Sequence, residues 1–339
     1  MDLHYSYANA RIKGMKSKLF QDGKLRELLD VRSIPELIEL LEESGYRESF
    51  VSMSTKYSGM ELVVRALKDD FEKTLRKVVD VTPESGREML KAFLREYEIG
   101  NIATILSAKA TGAEVKDTDL IILSDESRRN LDKLTAARSL TEAVKELQFS
   151  EYAAAFSKVF VEYDRTRDFR VLTRGLYAYH NSRLAALART TKNPLVKRFV
   201  RLKLELGDLM LLLRLKRSDA AASAMPFLTL KSSALLRELD AMTDFHKILA
   251  RLKARDKKTA SAVEEASKAD SLIPLEIALE RDFVATVFRQ TRVSVLDIST
   301  IVGFLFLKQE EVGTIRKIAY AKQFGFTEDL KSMAFSFAA

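Results

Sequence analysis

The 339-residue chain contains no cysteine. Disulfides, thiolate metal sites and a cysteine nucleophile are thereby excluded, and the composition suits a reducing compartment. Only five prolines and twelve glycines interrupt it, while hydrophobic residues make up 47% and charged residues 31%. Neither a disordered nor a collagen-like chain has that balance. Long apolar runs are also missing. The most apolar window, Ile298 to Leu307, is about half of the ~18 residues needed to cross a bilayer. The opening MDLHYSYANARIKG lacks the apolar stretch of a secretory signal, so the chain is expected to begin without a leader.

Catalytic vocabulary is equally sparse. His4, His180 and His246 are the only histidines and lie far apart. There is no phosphate-cradling glycine loop, nucleophile elbow or zinc-protease motif. His180, inside LYAYH, reads as a packed structural histidine. The Asp69-Asp70 pair and the run EYDRTRDFR read as solvated helical surface. No catalytic residue, metal or cofactor is expected.

What is present is a repeat. EIGNIATILSAK from Glu98, ELGDLMLLLRLK from Glu205 and EVGTIRKIAYAK from Glu311 begin 107 and 106 residues apart. At about 100° per residue, Ile99, Ile102, Ile105 and Leu106 fall on one stripe. Leu206, Leu209, Leu212 and Leu213 do the same in the second copy, and Val312, Ile315, Ile318 and Ala319 in the third. The Glu that opens each copy and the Lys eleven residues later (Lys109, Lys216, Lys322) flank that stripe. They lie roughly 16 Å apart along the axis, so each must meet something other than its companion. Gly100, Gly207 and Gly313 point away from the stripe. A helix-interior glycine costs about 1 kcal/mol relative to alanine, so a neighbouring backbone is expected to approach this face, covering the helix on two sides.

A second block repeats with the same spacing: SIPELIELLEESGYRESF from Ser33 matches SLTEAVKELQFSEYAAAF from Ser139, 106 residues on, and AMTDFHKILARL from Ala241 is a weaker echo. One small helical domain of about that length is implied, longer than the roughly 20 to 50 residues of a solenoid unit. Strand-like alternation is scarce and helix signals recur, including Ser33 with Glu36 as a capping box and proline early after Thr82 and Asn193. The fold class is all-α. Three similar helical domains are expected, 1–115, 116–222 and 223–339, with the N-terminal segment packing on the third. The polar stretch from Arg251 to Ser271 is expected to be a long loop or exposed projection and a poor core. Three copies related by about 120° would close around a central cavity.

Net charge is +8 and the pI about 9.3, which implies acidic company: nucleic acid, anionic lipid or an acidic protein face. Ten Lys/Arg between Arg183 and Arg217, Lys197, Arg198, Arg201, Lys203, Arg214 and Lys216 among them, face only Glu205 and Asp208. Either a docking surface or an ordinary solvated basic face accounts for them. An all-α nucleic-acid-binding or scaffold repeat protein is the rival reading, although only Phe199 lies inside the cluster as a possible stacking platform.

YANARIKGMKSKLF at the start, the three E-[ILV]-G-[NDT]-[IL] helices with their Lys, and the closing KQEEVGTIRKIAYAKQFGF together resemble the C subunit of archaeal and bacterial A/V-type ATP synthases, the counterpart of the eukaryotic vacuolar ATPase d subunit. The resemblance runs from about Tyr5 to Phe326. The family's Asn column is kept as Asn101 but appears as Asp208 and Thr314, and its Arg column reads Ser107, Arg214 and Tyr320; the Glu and Lys columns hold throughout, as do Lys308 and Glu311. The resemblance implies a non-catalytic funnel of three helical domains on the cytoplasmic face of the membrane. It would be present as one copy per complex, seated on the membrane rotor ring of proteolipid and receiving the central shaft subunits of D/F type, with no nucleic acid bound. The residues it marks for partner contact or repeat architecture are Glu98, Gly100, Asn101, Lys109, the cluster above, Glu205, Gly207, Asp208, Lys308, Glu311, Gly313, Arg316 and Lys322.

Overall fold

The computed structural model describes residues 4–325 apart from 149, 151, 220–222, 256–258, 269 and 294–296. Among these residues there are sixteen α-helices and no strand. Behind α1 (His4–Lys16), a pattern of three shorter helices and two long ones is written three times. The first round is α2 (Asp22–Asp30), α3 (Ile34–Glu42), α4 (Arg47–Ser54), α5 (Gly59–Val81) and α6 (Glu84–Thr111). The second is α7 (Asp125–Ala136), α8 (Leu140–Gln148), α9 (Ala153–Thr166), α10 (Phe169–Thr190) and α11 (Pro194–Ser218). The third is α12 (Ala234–Asp240), α13 (Phe245–Arg255), α14 (Ala260–Lys268), α15 (Ile273–Val293) and α16 (Ile298–Phe324).

Local hydrogen bonds show why the boundaries recur. Ser33 Oγ accepts from Glu36 N–H at 3.4 Å, and the Glu36 carboxylate accepts from Arg32 N–H at 2.8 Å. Ser139, Glu142 and Arg138 repeat this at 3.2 and 2.7 Å. In each pair the serine satisfies a first-turn N–H that a helix start leaves without a partner, while the carboxylate ties down the residue just before the cap. At the other end of α3 and α8, Ser44 and Ser150 donate to the carbonyls of Leu41 and Leu147 at 2.6 Å and accept from Tyr46 and Tyr152 N–H at 3.2 Å. The repeat thus extends to the hydrogen bonds. Gly112 and Gly325 close α6 and α16 with φ of 73° and 77°, a left-handed conformation that favours glycine. Asn193 caps α11 with Pro194 at its start, whereas Pro83 itself holds the cap position of α6.

Buried apolar side chains gather into three cores. One joins Ile99, Ile105 and Leu106 to Leu131, Leu147 and Leu176. Another joins Leu209, Leu212 and Leu213 to Leu239, Ile248 and Leu275. The largest brings both ends of the chain together, Leu28, Leu37, Phe50 and Leu67 with Ile301, Ile315 and Ile318. The predicted stripes are the inward faces of α6, α11 and α16; of their twelve residues only Leu206 is half-exposed. Ile298 to Leu307 is buried throughout. Its apolarity serves a central helix, since α16 packs on α1, α2, α3, α5, α6, α11 and α15. Among the described residues no helix is long and apolar enough to cross a membrane.

Two expectations fail. The polar stretch from Arg251 to Ser271 is not a poor core: within its described part, Leu252, Val263 and Ala266 are buried in the third core, because α13 and α14 turn one apolar edge inward beneath a charged exterior. Nor is Asp69-Asp70 a solvated pair. Asp69 accepts from Ser49 Oγ at 2.6 Å, and Asp70 meets Lys308 Nζ at 2.8 Å.

Candidate functional site on the three repeat helices

The Lys column has one job, performed three times. Lys109 Nζ donates to the Thr135 carbonyl at 2.6 Å, Lys216 Nζ to the Asp240 carbonyl at 2.6 Å, and Lys322 Nζ to the Leu29 carbonyl. Those carbonyls belong to the last turns of α7, α12 and α2, where helix geometry leaves them without intrahelical donors and the dipole favours a cation. Lys322 therefore does across 293 residues what its equivalents do across 26 and 24.

The other columns diverge. Asn101 holds Ile121 by both groups, accepting from its N–H at 2.8 Å and donating to its carbonyl at 2.6 Å. Asp208 accepts from Thr229 N–H at 3.0 Å and Leu230 N–H at 2.6 Å. Burial pushes the Asp208 carboxyl above its usual range, with those N–H donors opposing the shift. Among the described residues Thr314 makes only a 3.4 Å contact with Glu310. In the third copy the Glu column takes over the clamp. Glu311 is wholly buried, accepts from Phe20 N–H, from Tyr46 Oη at 2.6 Å and from Lys308 Nζ at 3.2 Å. Burial, then the charge of Glu311, drives the Tyr46 phenol well above its ordinary range. Glu98 is half-buried, and Glu205 pairs with Arg201 at 3.0 Å on the surface. Arg316, half-buried, leaves its Nε without a hydrogen-bond partner among the described residues.

The N-terminal halves of the repeat helices converge. Phe93, Val200 and Phe306 are equivalents at the repeat spacing and all are buried. The Phe93 and Phe306 rings meet edge to face with centroids 5.7 Å apart. Glu96 and Lys203, also equivalents, form an ion pair, and the Lys203 ammonium stands 5.1 Å from the Phe306 ring centroid. Burial alone would raise the Glu96 carboxyl, but Lys203 beside it prevails and holds it low. Tyr97 Oη reaches Gln309 Oε1 at 3.3 Å. Copies of one residue touch each other only near the axis that relates them.

Four residues beyond Glu96, Lys203 and Gln309, one turn along the same face, stand Gly100, Gly207 and Gly313. A Cβ built on any of them meets nothing within 4 Å. The expected neighbouring backbone is therefore absent among the described residues of this chain, since the glycine face opens into space just past the point where the helices meet.

The basic run does not form one surface. Winding around two helices, it sends Lys203 to Glu96, Lys216 into the interior, and Arg214 to Glu276 at 2.7 Å. With the Gln290 amide turned to present its oxygen, Arg198 Nη1 donates to it at 2.8 Å. Lys197, Arg198 and Arg201 remain exposed.

Sequence reasoning missed the joints between cores. Lys68 on α5 donates to the Asp117 carbonyl at 2.7 Å, and Glu72 accepts from Ile122 N–H at 2.7 Å. Arg174 on α10 lies 5.0 Å from the Phe227 ring centroid. On α15, Thr291 Oγ1 accepts from Lys16 Nζ at 2.9 Å. Lys68 and Arg174 are 106 residues apart, so the repeat spacing applied to the long helices would have found them.

The sequence model of the ATP synthase (C/AC39) subunit family matches residues 8–331. The A-type ATP synthase C subunit of Methanocaldococcus jannaschii is 25% identical over 94% of this chain and 82% of its own length. That of Methanosarcina acetivorans is 26% identical over 96% and 91%, and that of Thermococcus onnurineus 24% over 93% and 85%.

Proposed function

Because the chain belongs to the C/AC39 subunit family of ATP synthases, we propose that it is a non-catalytic joint in the rotor. In this reading three helical units close into a cup on the cytoplasmic face of the membrane. The cup's recess receives the tip of the D/F-type shaft, and its closed end rests on the proteolipid ring. One copy serves each complex, and ATP turnover and ion passage belong to other subunits.

The observation that carries this reading is the contact between equivalent residues, Phe93 with Phe306 and Glu96 with Lys203, followed one turn later by three glycines with nothing before them. Packed helices sealing an axis, then parting where side chains are missing, make a socket floor. The joints support closure. Each long helix, α5, α10 and α15, grips the segment that follows the next repeat helix in the cycle. For α15 the gripped residue is Lys16, at the end of α1, so the chain's two ends complete the circle. A coupler under torque needs such seams on all sides, and charged and ring contacts there resist sliding.

The test fills the socket. Replacing Gly100, Gly207 and Gly313 together with Leu should leave far-UV circular dichroism unchanged and abolish co-purification with the shaft subunits. Undiminished shaft binding by that variant would rule the recess out as their seat.

A further inference from the structure

A cleft of about 470 Å³ lies where α1 meets α15, and three cations converge on it: Lys13, Lys16 and Arg292. Phe20, Phe288 and Leu307 form an apolar floor, and among the described residues no carboxylate lines it. Lys16 and Arg292 stand 4.7 and 5.8 Å from the centroid of the same Phe288 ring. Like charges gathered on low-dielectric walls repel one another unless an anion joins them. The Lys16 ammonium registers this: burial, then Arg292, then Lys13 hold it below its ordinary range. Lys16 donates one hydrogen to Thr291, which leaves its other two N–H donors for a ligand.

We propose that this cleft binds a phosphate-bearing ligand whose apolar or planar portion rests on the floor of Phe20, Phe288 and Leu307. An arginine fork and two ammonium groups match the oxygens of a phosphate, and the volume falls within the ordinary range of ligand pockets, about 300–1,000 Å³. A nucleotide and a phospholipid headgroup share that chemistry. Bound there, the anion would bridge Lys13 and Lys16 of α1 to Arg292 of α15 and tighten the joint already made by Lys16 and Thr291. The site is independent of the shaft socket, so either can fail alone.

Isothermal titration of the full chain at constant ionic strength, with inorganic phosphate, with ATP and with a short-chain phosphatidic acid below its micellar concentration, tests it. At least one organic phosphate should bind tenfold or more tightly than inorganic phosphate. The Lys13→Gln, Arg292→Gln double variant, altering two exposed side chains, should lose at least tenfold in affinity while its unliganded melting midpoint stays unchanged. Binding of ATP alone assigns the cleft to nucleotides, and binding of the phosphatidic acid alone to lipid headgroups. Absence of binding, equal affinity for inorganic phosphate, or affinity unaffected by the double variant would overturn the assignment.

Discussion

Phe93 and Phe306 lie 213 residues apart in sequence and meet edge to face at 5.7 Å. They occupy the same position in two copies of one motif, so their contact marks the place where the copies share an axis. Phe283 packs on Phe306 from α15, with ring centroids 5.1 Å apart, and Lys203 covers the same ring from α11.

Truncating that ring should loosen all of these contacts at once. Phe306→Ala is expected to lower unfolding free energy by about 3–5 kcal/mol, the range for deleting a buried aromatic side chain. Urea titration followed by circular dichroism measures it, and a loss below about 1 kcal/mol would contradict the packed axis.

The glycines should behave oppositely. With open space before each, Gly207→Ala removes a poor helix former and adds no clash, so the isolated chain should gain about 0.5–1 kcal/mol. The same denaturant titration decides this. Destabilisation would show that a neighbour lies closer than the structure places it.

Lys216 is buried and supplies the donor for the Asp240 carbonyl. Lys216→Met should cost about 2–3 kcal/mol, because a buried acceptor then loses a charged partner. Arg217→Met, one residue away on the exposed side, loses only a surface pair with Asp270, serves as the comparison and should cost no more than about 1 kcal/mol.

His180 gives the protein an acid limb. Its ring is buried, both nitrogens lack hydrogen-bond partners among the described residues, and burial, partly offset by Glu96, pushes its pKa from 6.5 down to about 4. The unfolded chain therefore binds the proton more readily, and stability falls as pH drops from 6.5 towards 4, by about 3 kcal/mol at most. His180→Leu should flatten that slope when urea midpoints are compared across the window. An unchanged slope would assign the acid sensitivity to other groups.

Much of this architecture was legible because helices write their packing at a fixed period. The stripes from Ile99 and Val312, the Ser33 cap of α3 and the 106-residue spacing all follow from local geometry, although the Glu36 carboxylate reaches Arg32 N–H instead of closing a capping box on Ser33. The destinations were not legible. Lys322 finds its carbonyl at Leu29 only through the closure of the chain, and nothing near Lys322 in sequence announces it. Charge density misled for a related reason: consecutive cations on a helix point in all directions, so Lys203 and Lys216 face inward while Lys197 faces water. The cost of the glycines is legible and their surroundings are not, since sequence shows that a side chain is missing without showing that open space, not a neighbouring backbone, lies before it.

The absence of cysteine permits one direct test of the socket. A photoactivatable benzophenone placed on Gly100→Cys, Gly207→Cys or Gly313→Cys, each introduced singly into the assembled complex, should cross-link to the same shaft protein from all three positions. The same label on Glu146→Cys, exposed on α8, should not. Cross-links to the shaft from Glu146→Cys, with none from the glycine positions, would contradict the account.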